Sequence, residues 1–381
     1  MALLFSLLAL IIASVVIMYA CNSFDDSASY LGRNMQPGVK GATINAIGSS
    51  LPELMTALFL LFLFQDQDGF SAGIATTAGS AVFNSVIIPM LCIFAVAYRG
   101  TLKKVVGPDG KMRMVREKIQ SFNISRNTIV RDGFFLLVAE GALIWFLGGT
   151  TMAWWMGAAM MFIYVLYFLY LSRGFSGGDW EAHESEDEDD DEEPAPSKLK
   201  ALITFDFNNL IFDGKDFTTQ SAWIVLSCAT AVIGVACYVL AEVVIISADL
   251  LGVPAYFTAV IFAAAATSVP DTVLSVKDAV KGEYDDAIAN ALGSNTFDIT
   301  VALGLPLLLY GLLYGDVMLS SAGDETNASV QALRIVLFGV TVAVLSCFLI
   351  SKSITVKTAY FLGAIYTGWL AFLFADVMGW I

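Results

Sequence analysis

Histidine is nearly absent: the 381 residues contain one, His183. A histidine-ligated metal centre or a histidine-based triad has no material here. Charge is also scarce, at 14% against about 25% in soluble domains. The five cysteines (Cys21, Cys92, Cys228, Cys237 and Cys347) stand apart with no CxxC pair. They read as small buried hydrophobes, not as a disulfide frame or a thiolate cluster. There is no phosphate-cradling glycine loop and no basic surplus. An enzyme and a nucleic-acid binder are therefore both disfavoured.

What is present is apolar. Hydrophobic residues make up 57% of the chain, and the mean hydropathy is +0.73. This is the composition of an all-α polytopic membrane protein. The net charge of −15 is local: eleven acids and no bases lie between Asp179 and Glu193, and removing them leaves −4. That run, followed by Pro194-Ala195-Pro196, reads as a solvated linker.

A span needs about 20 apolar residues. Ten are expected, near 2–20, 38–63, 70–97, 133–149, 151–172, 221–246, 254–276, 284–314, 334–351 and 357–379. Met1–Ala20 lacks the basic start of a signal peptide and is read as the first span. With the N-terminus outside, 19 of the 20 Lys and Arg residues fall in inside loops, and only Arg334 falls outside. Both termini are then outside and the acidic run is cytoplasmic, in a cell (plasma or inner) membrane. The basic loop 98–132 contains Gly107-Pro108-Asp109-Gly110 between alternating stretches, which predicts a small hairpin. The chain divides into a first half (1–172), an acidic linker (173–220) and a second half (221–381).

The halves repeat each other. Residues 41–53 read GATINAIGSSLPE and 259–271 read AVIFAAAATSVPD; downstream lie GSAVFN (79–84) and GSNTFD (293–298). Each copy lies in the second and third spans of its half. Five spans per half reverse the orientation of the second copy, giving two inverted five-helix repeats. Pro52 and Pro270 fall mid-span, where each frees the carbonyl four residues earlier. Such groups persist at bilayer depth only when buried in protein or lining a cavity.

Five acids lie inside spans: Glu53, Glu140, Glu242, Asp271 and Asp298. Beyond Lys40, no Lys or Arg is expected in a span interior. Buried carboxylates without basic partners must be protonated or neutralised by mobile cations. Asn84 takes the place in the first copy that Asp298 takes in the second. Ser50 and Ser268 precede their repeat acids by three residues, and Ser80 and Ser294 precede Asn84 and Asp298 by four, so each pair shares a helix face. Ala46 and Ala264 lie two turns before the repeat acids on that face. Carboxylate, amide, hydroxyl and carbonyl oxygens suit Ca²⁺ and Na⁺. Glu140 and Glu242 have no repeat counterpart and are expected to make interhelical hydrogen bonds or to stay protonated.

At these motifs the chain resembles the sodium/calcium exchanger family of the cation/calcium exchanger superfamily. The likeness covers both α-repeats, 38–97 and 252–314. The stretch SVPDTVLSVKDAVKGEYDDAIANALGSNTFD is most like the potassium-dependent branch. The resemblance implies an antiporter with Ca²⁺ and Na⁺ as substrates in a lipid bilayer. It implies no cofactor and no obligatory protein partner. It places ion ligands at Glu53, Asn84, Asp271 and Asp298. It adds the hydroxyls of Ser49, Ser50, Ser80, Thr267, Ser268 and Ser294 and the carbonyls of Ala46 and Ala264. Na⁺/Ca²⁺ exchange is the leading reading. H⁺/Ca²⁺ antiport and K⁺-dependent Na⁺/Ca²⁺ exchange through the same acids are the alternatives. Ala266 replaces the family's usual glycine, and Asp271 is shorter than the Glu of some members.

Overall fold

The computed structural model describes residues 2–31, 46–64, 67–106, 112–149, 151–174, 197–318, 324–351 and 353–380. The acidic run, the tip Gly107-Pro108-Asp109-Gly110 and the first part of the expected second span lie outside them.

In chain order the first half contains α1 (Ala2–Leu31), α2 (Ala46–Ser49), α3 (Leu51–Phe64), α4 (Gln67–Val82) and α5 (Ile88–Tyr98). There follow β1 (Thr101–Val106), β2 (Met112–Glu117), β3 (Ser121–Phe122), α6 (Arg126–Leu147), β4 (Thr151–Met152) and α7 (Trp154–Gly174). Two short helices, α8 (Lys198–Ile203) and α9 (Phe207–Phe212), precede the second half. That half contains α10 (Thr219–Leu251), α11 (Ala255–Thr258), α12 (Ala264–Thr267), α13 (Val269–Lys281), α14 (Tyr284–Phe297) and α15 (Gly304–Tyr314). It closes with β5 (Val317–Met318), α16 (Asp324–Ile350), β6 (Ile354–Thr355) and α17 (Val356–Val377).

Among the described residues, seven helical stretches are long and apolar enough to cross a membrane, and an eighth if α11 to α13, bent by 42°, is one span. α3 is apolar but has 14 residues. α6 has 22 residues but carries Arg131, Asp132 and Glu140. The outward surface is greasy: Leu4, Phe5, Trp145, Phe162 and Leu313 are all at least 60% exposed. Buried positions include many Ser, Thr, Asn, Asp and Glu residues. This inversion of a soluble protein is the one a lipid solvent imposes.

Several spans differ from expectation. α1 runs on to Leu31 and α16 begins at Asp324, ten residues ahead of the expected start. Hydropathy stops at the first polar cluster, but in α1 part of that cluster faces protein, with Ser23 and Ser27 buried. Ser23, for instance, donates to the Phe205 carbonyl at 2.7 Å. The stretch 284–314 is one helical unit with a π turn at Asp298–Ala302, and 67–98 has its own at Phe83–Ile87. Those turns occupy the same place in the two repeat copies to within one residue.

The packing is reciprocal. α1 lies along α10; α7 packs on α15 as α17 packs on α5; α6 meets α14 as α16 meets α4. β3 pairs with β6 and β4 with β5, so each of these small ladders joins a loop of one half to a loop of the other. The expected hairpin forms, with Thr101 opposite Glu117 and Val106 opposite Met112. It sits on the end of α13, where the Thr101 hydroxyl donates to the Ala279 carbonyl at 3.2 Å. Phe122 stacks on Tyr284 at 4.6 Å. The loops expected to be inside thus collect at one face.

One contact fixes how closely the halves approach. A Cβ on Gly79 would lie 2.1 Å from the Val260 carbonyl oxygen and 2.6 Å from Ala264 Cβ. At Gly293, its counterpart, the nearest atom is the Tyr167 hydroxyl at 3.5 Å. Gly79→Ala should therefore force α4 off the second repeat and cost ~2 kcal/mol or more, while Gly293→Ala should be tolerated. Thermal unfolding in detergent checks this, and equal loss in both variants would contradict the packing.

Candidate cation site

Both repeat motifs break their helices at the serine ahead of the proline. Ser50 separates α2 from α3, and Ser268, at φ −78° and ψ 1°, separates α12 from α13. Pro52 and Pro270 then stand in the first turn, where a missing N–H costs nothing. Each break projects an acid from the first turn of the next helix: Glu53 from α3 and Asp271 from α13. The π turns present Asn84 and Asp298.

The structure brings these groups together. Glu53, Asn84, Asp271, Asp298, Ser49, Ser50, Ser80, Thr267, Ser268 and Ser294 are all 0% exposed. Ser294 donates to Asp271 Oδ1 at 2.9 Å, and its counterpart Ser80 reaches Glu53 Oε1 at 3.3 Å. Asn84 Nδ2 crosses to Asp271 Oδ2 at 3.0 Å. By the same symmetry Asp298 faces Glu53, and Ser80 Oγ lies 3.0 Å from Asp298 Oδ2. Ser80 also meets Ser268 Oγ at 2.9 Å and accepts from Asn84 Nδ2 at 3.4 Å.

The hydrogen count decides what this cluster can bind. The one hydroxyl hydrogen of Ser80 faces carboxylate oxygens of both Glu53 and Asp298 and can serve only one at a time. The hydroxyls of Thr267, Ser50 and Ser49 stand beside Glu53, Asp298 and Asp271 in turn. Glu53 Oε2, Asn84 Oδ1 and Asp298 Oδ1 are buried and meet no donor among the described residues. Three carboxylates buried among neutral hydroxyls and one amide require protons or cations. The set is all oxygen, which suits hard cations. Among the described residues, no three His, Cys, Asp or Glu side chains converge as a tight metal cluster. The three acids are spaced by hydroxyls and an amide.

Other expected ligands are placed less directly. Thr267 donates back into its own helix, to the carbonyls of Ala263 at 3.1 Å and Ala264 at 3.4 Å. The Ala264 carbonyl also accepts from the Ser268 N–H at 3.1 Å, so it is engaged within the helix. Ala46 lies in α2, and its side chain is outside the described set.

Three findings go beyond the sequence reading. Arg334 is not in an outer loop: it is 2% exposed, on α16, and donates to the Ile74 carbonyl and the Thr77 hydroxyl of α4. The expectation that no Lys or Arg lies inside a span fails, because α16 starts early and carries Arg334 into the bundle. Arg334 also lies within electrostatic reach of Glu140 and Asp298. Glu140 does make an interhelical bond, accepting from Thr341 at 2.7 Å. Glu242 does not: its partner is Tyr238 at 3.0 Å, one turn away on the same helix. Asn295, inside GSNTFD, donates to the Ala81 carbonyl at 3.0 Å and to Ser85 Oγ at 2.7 Å, tying α14 to the first repeat. An amide between two site residues of a buried motif was the signal for it. All five cysteines are free.

The sequence profile of the sodium/calcium exchanger protein family matches residues 5–173 and 221–375, both halves without the acidic linker. The chain belongs to this family. It is a membrane transporter, not an enzyme. Among characterised relatives, the sodium/potassium/calcium exchanger Nckx30C of Drosophila melanogaster is 36% identical over 104 residues, 27% of this chain and 12% of that protein. The human sodium/potassium/calcium exchanger 4 is 34% identical over 146 residues, 38% of this chain and 23% of that protein. The matches thus span under a quarter of those relatives' length. Among solved structures, the H⁺/Ca²⁺ exchanger CAX aligns at a TM-score of 0.58 and 16% identity, covering 98% of this chain and 87% of that one. YfkE aligns at 0.59 and 13%, covering 99% and 93%. The sodium-calcium exchanger NCX_Mj aligns at 0.51 and 17%, covering 97% and 99%. At these identities the likeness is one of fold.

Proposed function

We propose that this protein is a secondary active antiporter that moves Ca²⁺ against monovalent cations by alternating access. Its site comprises Glu53, Asp271 and Asp298 with Asn84, Ser49, Ser50, Ser80, Thr267, Ser268 and Ser294, plus the carbonyls of Ala46 and Ala264. The observation that carries the reading is the reciprocal network at the two helix breaks, in which three fully buried acids are met by neutral donors. The chain then has ten spans in two inverted halves, 1–172 and 221–381, that rock about the shared site. The Ala264 carbonyl joins the site only if α12 loosens during that motion.

The asymmetry between Asn84 and Asp298 bears on the coupling ion. Asn84 gives Asp271 an N–H donor, whereas Asp298 gives Glu53 a second acid. Arg334, within electrostatic reach of both Asp298 and Glu140, offsets one of these charges at most, so the Glu53–Asp298 side calls for a further monovalent cation or a proton. The characterised relatives carry potassium in their names, which supports K⁺-dependent Na⁺/Ca²⁺ exchange over simple Na⁺/Ca²⁺ exchange. Asp298→Asn should abolish any stimulation by K⁺ on the calcium side while exchange persists. Flux that ignores K⁺ in the parent protein but follows an imposed pH gradient would select H⁺/Ca²⁺ antiport instead.

For orientation, we place both termini outside and the basic hairpin and acidic linker in the cytoplasm of a cell membrane, following the 19 inside Lys and Arg residues. A cysteine at the exposed position Arg116 should be labelled by an impermeant reagent only after permeabilisation. Labelling in intact cells would reverse the assignment.

A further inference from the structure

α1 carries an acid that the site described above does not use. Asp25 lies six residues before the end of α1, on the face turned to the broken helices α2, α12 and α13. Its Oδ1 is buried and meets no donor among the described residues. Gly48, in the GSSLPE motif, lies directly against it: a Cβ there would be 2.1 Å from Asp25 Oδ1. Any larger residue at this point would push the carboxylate aside. The motif's glycine therefore serves a partner on another helix as well as its own chain.

The surroundings of Asp25 form a line. One turn towards the centre of the bundle is Cys21, 1% exposed and within electrostatic reach of Asp25, Glu53 and Asp271. In the other direction are Asp26 and Lys277, both exposed. Asp25 itself is within electrostatic reach of Asp26, Asp271 and Lys277. Lys277 lies on α13 six residues beyond Asp271, so the order from surface to centre is Asp26, Asp25, then Asp271 and Glu53. A buried carboxylate oxygen without a donor among the described residues, between exposed charged residues and a cation site, is suited to holding a partly dehydrated cation.

The other half lacks this group. Ser27-Ala28 in α1 and Ser247-Ala248 in α10 are all buried and stand at matching places. In that register Ile245, packed against the core, stands where α1 has Asp25. The related approach from the opposite face is apolar at this step.

We propose that Asp25 is a relay carboxylate that captures Ca²⁺ at the face where α1 ends and passes it to Asp271 and Glu53. The exchanger then binds calcium more tightly from that face than from the other. The inference rests on the reading of Glu53 and Asp271 as the ion site. It gives the molecule a sidedness that a symmetric pair of repeats would not have.

The test is calcium flux in proteoliposomes of determined orientation, with Ca²⁺ varied on one face at a time. In Asp25→Asn the KM for calcium at the α1-end face should rise about tenfold, with the KM at the opposite face within twofold of the parent. Asp25→Glu, which keeps the charge, should stay closer to the parent than Asp25→Asn. Asp25→Ser carries the same expectation as Asp25→Asn and covers the case in which that variant does not fold. Equal KM shifts at both faces, or no shift at either, would overturn the relay. Asp271→Asn, run in parallel, should lose flux from both faces. If it does not, the ion-site reading fails and the relay to Asp271 fails with it, whereas loss of flux in Asp271→Asn with no one-sided shift in Asp25→Asn overturns the relay alone.

Discussion

Asp271→Asn and Glu53→Gln should each abolish calcium exchange while leaving the protein folded. Both carboxylates are fully buried, each in the first turn after a helix break. Asp271 accepts from Asn84 and Ser294, and Glu53 from Ser80. The amide variants keep the shape but remove the charge that a dehydrated cation needs. Losing one charged partner in a buried site costs ~3–5 kcal/mol, or a factor of roughly a hundred to several thousand in affinity. Stability should not fall in step, since three buried acids met by neutral donors oppose folding in the absence of cations. Calcium-dependent protection against heat should vanish together with flux. Parent-like calcium flux in either variant would remove the site assignment.

Arg334→Met should be among the most destabilising single substitutions in the protein. The guanidinium is buried on α16, holds α4 through Ile74 and Thr77, and lies within electrostatic reach of Glu140 on α6. Its removal leaves Glu140 with one bond, from Thr341, and no cation nearby among the described residues. Breaking such an arrangement from one side costs ~3 kcal/mol or more. Glu140→Gln in the same chain should recover part of that loss, because it removes the charge left uncompensated. Unfolding of the two single variants and the double variant in detergent measures the coupling. A strictly additive double variant would show that the two charges do not support each other.

The contrast between Arg334 and the repeat acids explains what the sequence revealed. Glu53 and Asp271 were legible because duplication marks them: an acid after a mid-span proline, twice, with serines on the same helix face. Asp298 was legible from its place in GSNTFD opposite Asn84 in GSAVFN. The hairpin was legible from its turn residues and flanking alternation. Arg334 and Asp25 were not, because a hydropathy reading ends a span at its first polar cluster. In a helix bundle those clusters can face protein, and α1 and α16 extend through theirs. The π turns at Asn84 and Asp298 were also hidden, since no residue type announces them. Glu242 misled for the opposite reason: an acid in a span can turn back to a tyrosine on its own helix, as Glu242 does with Tyr238.

The central claim is that buried acids from two inverted halves exchange Ca²⁺ for monovalent cations. It is tested most directly by calcium uptake into proteoliposomes with Na⁺, K⁺ and pH gradients imposed singly and in pairs. The account predicts uptake driven by an outward Na⁺ gradient, increased by K⁺ on the calcium side, and lost in Asp271→Asn. Calcium movement that runs only down its own gradient and is indifferent to all three cations would contradict it.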